Sequence, residues 1–427
     1  MKRISLAPGV HVTRADADKF NRCRLSLHFT FPAKRESATA HALLPLVLER
    51  GCASCPDMTE LTKKLARLYG ADLTVDARAQ GANHNLCISI TGIKDKFALE
   101  GEALAAEYAR LLLDVAFHPY LVEGVFDAEA VAIEKAMLKK ALEDEINEKR
   151  IYCLHAAQRE FFAGSPAGIR QEGYLSEVEG LTPAALTAAY REMLAGAQVE
   201  LILLGLEDGQ AQAVQTALAA ELGAVARAPQ PLAPFVCMPR RETAHFTEKF
   251  DMVQAKLCML FTLGEPMELE QMQAYRLAMA LFGGSVTSRL FLNVREKMNI
   301  CYYCSSSFQS FTASMAVNSG VEPANAEKAE KAILDELAAL CGGPITAEEL
   351  EDCRRGLVSG FDSVEDSLGG IEAWYAMEIL RGGIVHTPAE ARDALLNVTE
   401  NDVRAVLNQF SLSVSYLLTA SEEAEHE

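Results

Sequence analysis

Two Cys-x-x-Cys pairs, Cys52/Cys55 and Cys301/Cys304, are the first residues whose spacing could do chemistry, by holding a metal or by cycling between thiol and disulfide. A zinc ribbon needs its two pairs about 15–20 residues apart, whereas these stand roughly 250 apart. Cys301 and Cys304 also fall in a strand-like run, where side chains three positions apart point to opposite faces. The eleven cysteines are an odd number scattered among apolar positions such as Cys23, Cys87 and Cys258. They read as small core residues of a reducing compartment. His28, His41, His84, His118 and His155 are dispersed, and none stands four residues from another His or Cys. Neither GxGxxG nor GxxxxGK[ST] occurs, so a nucleotide site has no support.

The elements that would position any site come from hydrophobic periodicity. The chain has 427 residues, half of them apolar, which exceeds the size of one core. Acidic residues outnumber basic ones by 59 to 40, giving a net charge of −19. That balance argues against nucleic acid or an anionic membrane as partner, because both need clustered Lys and Arg. Pro8 and Gly9 interrupt the N-terminus, and apolar runs such as Leu201 to Leu204 are far too short to span a bilayer. A cytoplasmic location is expected.

An alternating strand, Cys23 to Phe31, is followed by helices over Ala38 to Leu48 and Met58 to Tyr69, then by strands over Ala71 to Val75 and Asn85 to Thr91. The pattern then returns. Cys23–Phe31 matches Ala255–Leu263 at an offset of 232, and Thr59-Glu-Leu61 matches Ser288-Arg-Leu290 at 229. Three further matches follow in the same order, at 219, 217 and 215. Between the copies, four prolines within Pro229–Pro239 exclude helix or central strand and predict an extended linker. The expected organisation is therefore a first lobe at 1–225, a linker at 226–243 and a second lobe at 244–427. Strands packed against consecutive helices predict an α+β fold, two α/β rolls in tandem, and not a doubly wound sheet.

The most specific string is Leu281-Phe-Gly-Gly-Ser-Val-Thr-Ser-Arg-Leu-Phe-Leu-Asn-Val-Arg-Glu-Lys-Met-Asn-Ile-Cys-Tyr302. It closely resembles the GGxxSRLFxxxREKxxLxY stretch of the pitrilysin/insulinase metallopeptidases (inverzincins) and their mitochondrial processing peptidase relatives. The resemblance implies two lobes closing as a clamshell. It also implies that Arg295 and Tyr302 reach substrate, since in active members an Arg and a Tyr seven residues later do so beside the zinc.

Active members bind that zinc through an HxxEH helix and a distant Glu. Here the corresponding window reads His41-Ala42-Leu-Leu-Pro45-Leu46-Val-Leu-Glu-Arg-Gly51. With Gly51 set on the family glycine, Ala42, Pro45 and Leu46 stand where His, Glu and His belong, and the distant Glu falls at Arg110. None of these side chains ligates zinc, and His41 is one residue out of place. Shorter strings, including Leu68-Tyr-Gly-Ala71, resemble a bacterial subgroup without the zinc motif. Such proteins are usually encoded beside a zinc-bearing relative and are associated with elongation factor P modification.

The expectation is a non-catalytic homologue without metal or other cofactor, binding extended peptide or serving a zinc-bearing relative, or a second copy, as partner subunit. An edge strand carrying Ala71, Leu73 and Val75 would take the peptide by β-augmentation. An active zinc endopeptidase using other ligands is the alternative, and an inert scaffold is a third reading.

Overall fold

The structure, a computed structural model, describes residues 1–233 and 235–421; Pro234 of the proline-rich run and the last six residues of the second lobe lie outside them. The chain divides into two compact units. The first comprises Met1–Glu143, Ile169–Pro234 and Ser367–Met377; the second comprises Asp144–Gly168, Phe235–Asp366 and Glu378–Glu427.

The first unit is built on a six-stranded sheet. Its strands are β1 (Lys2–Ala7), β2 (Val10–Ala15), β3 (Arg22–Pro32), β4 (Asp72–Gln80), β5 (Asn83–Ile93) and β6 (Gln198–Leu204). Their spatial order is β1-β2-β6-β3-β5-β4. Neighbours are antiparallel except β2 and β6, which run parallel with Val10 opposite Val199. Alternation fixes the faces. Leu25, Leu27 and Phe29 of β3 point into a core with Leu43, Leu44 and Leu48, and all six are fully buried. Each contributes about 1.5–3 kcal/mol by leaving water.

Three helices pack on or beside that face: α1 (Ala38–Leu48), α2 (Met58–Arg67) and α3 (Leu104–Phe117). α2 begins where Asp57 accepts a hydrogen bond from the Glu60 N–H at 2.9 Å. Asp127, Thr182, Thr346 and Thr399 cap later helices in the same way, as their sequence context predicts.

The second unit has a five-stranded sheet of β7 (Ala244–Phe250), β8 (Ala255–Thr262), β9 (Cys301–Gln309), β10 (Ser314–Val321) and β11 (Ser411–Ala420). Its order is β9-β10-β8-β11-β7, with β11 and β7 parallel. Matched strand for strand, this repeats β4-β5-β3-β6-β2, parallel pair included. The duplication read from weak sequence matches is thus one topology used twice, and β1 is an addition to the first copy.

In the second unit, the helix Lys149–Phe161 lays Cys153, Ala156, Ala157 and Phe161 against Cys258, Leu260 and Tyr416 of the sheet. Residues Leu290–Lys297 wind with π-type turns and not as an ordinary α-helix. Among the described residues no helix is long and apolar enough to cross a membrane.

Candidate functional site

α1 forms because an apolar run of helix formers lies between Ser37 and Gly51, and it is buried all round. Ala42 is 9% exposed, Pro45 is buried and Leu46 packs against the core. Gly51 closes the helix where a Cβ would stand 2.4 Å from the Cys55 carbonyl oxygen. The window that the resemblance sets on a zinc helix is therefore a core element with no ligand atoms at its three positions. His41 lies against the Phe31 ring, centroids 4.6 Å apart. Burial, helped by repulsion from His84, pushes its imidazole down to about 4. Such a histidine is neutral and dry.

Arg110 projects from α3 into solvent and pairs with Glu107. Glu107 also accepts from Lys64 at 2.5 Å, and that hydrogen bond, with the Arg110 charge, holds its carboxyl below the usual range. Glu107, one turn before Arg110, is thus already paired with two cations.

β4 is an edge of its sheet. Leu73 and Val75 bury their side chains at 8% and 7% exposure, and Ala71 is buried just before the strand begins. Part of the edge is occupied. The Gln171 amide accepts from Ala79 N–H at 3.1 Å and donates to Ala77 C=O at 2.6 Å, as a neighbouring strand would. Nearer the start, the Glu49 carboxylate accepts from Val75 N–H. These contacts show that odd-numbered residues of β4 direct their backbone groups outward. By the alternation of an antiparallel ladder, Leu73 N–H and C=O and Val75 C=O also point away from β5.

In the second unit, Arg295 lies on the π-wound segment, 4.6 Å over the Phe291 ring and 3.7 Å from Glu296. Tyr302 is 57% exposed, not packed into the sheet. The cause is a bulge: the register of β9 on β10 shifts between Cys301 and Tyr303. The same bulge overturns the expectation that Cys301 and Cys304 face opposite ways. Both are buried, and a hydrogen bond from Cys304 holds the Cys301 thiol below its usual range.

Sequence spacing did not join one further group. His28 of β3, Cys87 of β5 and Glu372 bring a nitrogen, a sulfur and an oxygen within 4.8 Å of one another, all in the first unit. Glu372 is 344 residues from His28, so no motif links them. His28, Arg24 and Glu372 are close-packed: burial opposes ionisation of the Glu372 carboxyl, but bonds to His28 and the Arg24 charge bring it down to about 2.

The family model described as "Peptidase M16 inactive domain" matches residues 180–357. The chain is 25% identical over 416 residues to the "Probable inactive metalloprotease YmfF" of Bacillus subtilis, covering 97% of this chain and 96% of that one. Its fold matches a conserved protein from Enterococcus faecalis with a TM-score of 0.89 at 26% identity, covering 100% and 99% of the two chains. It matches a peptidase M16 inactive domain from Pseudomonas fluorescens with a TM-score of 0.78 at 19% identity, over 98% of each. With alanine, proline and leucine where a zinc helix would carry its ligands, the chain is similar to the inactive M16-type peptidase homologues, over residues 180–357 by the family model and over nearly its whole length by its relatives.

Proposed function

We propose that this protein binds extended polypeptide without cutting it, and does so in the cytoplasm as partner of a zinc-bearing relative or of a second copy of itself. The observation that carries the binding reading is the edge of β4, where Leu73 N–H and C=O and Val75 C=O point outward from the sheet. An incoming strand adds to such groups through its own backbone, and this needs no catalytic residue. Arg295 and Tyr302 supply donors for a peptide carbonyl or carboxylate, since a guanidinium and a phenol both donate. Loss of the zinc ligands from α1 supports binding without hydrolysis, because no group there can activate water.

The test uses two fluorescent unstructured peptides of one sequence, the second N-methylated at alternate residues. Fluorescence anisotropy should show saturable binding of the first and loss of binding by the second, which cannot pair with a strand edge. Equal affinity for both peptides refutes strand addition. Co-purification from the native organism tests the partner: recovery of a zinc-bearing relative supports the shared complex, and a homogeneous self-associated protein supports the second copy.

A further inference from the structure

We propose that His28, Cys87 and Glu372 form a zinc-binding site on the sheet of the first unit, separate from the emptied α1 window and independent of peptide binding. His28 and Cys87 are directly opposite one another in the antiparallel β3–β5 pair, so their side chains rise from the same face. Glu372 comes from the helix Leu368–Arg381, whose residues up to Met377 group with this unit. His28 Nε2 is 3.0 Å from Glu372 Oε1, Cys87 Sγ is 3.6 Å from His28 Nε2, and Cys87 Sγ is 3.5 Å from Glu372 Oε1. Ideal tetrahedral zinc bonds place such atoms about 3.3 Å apart for nitrogen and oxygen, and about 3.5 Å apart for sulfur and either. The triangle already has the required size.

The surrounding groups orient each ligand. Asn85 Nδ2 donates to Thr30 Oγ1 at 2.8 Å, which leaves Asn85 Oδ1 facing His28 Nδ1 at 3.4 Å. That acceptor holds a proton on Nδ1, so a metal would take Nε2, the nitrogen aimed at the other two ligands, in place of the proton that Nε2 shares with Glu372. Arg24 donates to Glu372 Oε2 at 2.5 Å and to Thr91 Oγ1 at 2.8 Å. It therefore fixes the carboxylate by its far oxygen and leaves Oε1 turned toward His28 and Cys87. A thiolate and a carboxylate balance the charge of the dication, and binding releases to solvent both the thiol proton and the Nε2 proton that His28 otherwise donates to Glu372. Three protein ligands leave one position for a water. Among the described residues no second carboxylate joins the group to serve as base, so the role assigned is binding: the metal staples Glu372 to the sheet.

The second copy provides an internal comparison. The residues matching His28 and Cys87 are Leu260 and Ala316, again opposite one another, and the helix above them contributes Cys153. There the same place is filled by an apolar cluster. The fold thus does not require polar groups at this position. A soft sulfur beside an imidazole suits zinc.

The test titrates reduced, metal-stripped, full-length protein with cobalt(II), which reports tetrahedral thiolate coordination by its visible and charge-transfer bands, followed by displacement with zinc. We expect one cobalt per chain, loss of the thiolate band in Cys87→Ser, and an unchanged titration in a Cys301→Ser, Cys304→Ser double variant. Asn85→Ala should weaken zinc about 10- to 100-fold through loss of ligand orientation, with an unchanged circular dichroism spectrum as control. Absence of the thiolate band in the wild-type protein overturns the proposal, as does a band that survives in Cys87→Ser or disappears only in the Cys301/Cys304 variant.

Discussion

His41 stands one residue from the position of a zinc ligand, and its titration tests whether α1 is a core helix. The side chain is 7% exposed and packed on Phe31. Burial first, and His84 second, push the imidazole down to about 4 in the folded chain, against an ordinary value of 6.5. The unfolded chain therefore takes up a proton before the folded chain does. Stability from this group is full above the ordinary value and is lost as the pH falls toward the folded one. Linkage puts the loss at about 2 kcal/mol between pH 7 and pH 5.

The perturbation is His41→Leu, which keeps the volume and removes the titration. Urea unfolding of both proteins at the two pH values isolates the effect, because other titrating groups, His84 among them, remain in both. The wild type should lose about 2 kcal/mol more than the variant over this interval. An equal pH dependence in the two proteins would refute the reasoning, since His41 would then titrate in contact with water or with a ligand.

Removing the amide that occupies part of the β4 edge in Gln171→Ala should cost about 1–3 kcal/mol of stability, read by urea unfolding, yet tighten peptide binding, read by anisotropy. Weaker or unchanged binding would place the peptide elsewhere. Gly92→Ala puts a Cβ 2.2 Å from the buried Tyr108 ring, and overpacking of this kind should lower stability by about 1–3 kcal/mol in thermal or urea unfolding. Arg295→Ala with Tyr302→Phe changes one half-buried and one exposed side chain, so unfolding should shift by no more than about 1 kcal/mol, while peptide affinity falls; unchanged affinity would favour an inert scaffold.

Much of this architecture is legible in the sequence, because it depends on local pattern. α1 runs from Ala38 to Leu48 as its apolar stretch predicts, and the capping threonines mark helix starts without knowledge of the fold. Weak internal matches sufficed for the duplication, since strands that share an order keep the same alternation. Backbone register is less visible. Nothing in the side-chain pattern marks the π-wound Leu290–Lys297 or the bulge that exposes Tyr302, since both are changes in hydrogen-bond partner.

Long-range neighbours are hidden for a different reason. Gln171 closes part of an edge some 90 residues earlier in the chain, and the His28–Cys87–Glu372 group joins two strands to a helix near the other terminus. The cross-strand pairing of His28 with Cys87 could have been read once β3 and β5 were aligned. Glu372 could not.

The central claim is that peptide is held and not hydrolysed, and mass spectrometry of a bound unstructured peptide tests it most directly. Purified protein is incubated with the peptide and added zinc, with and without chelator. The peptide should be recovered intact in both samples. Time-dependent cleavage that is abolished by the chelator and restored by zinc would contradict the account.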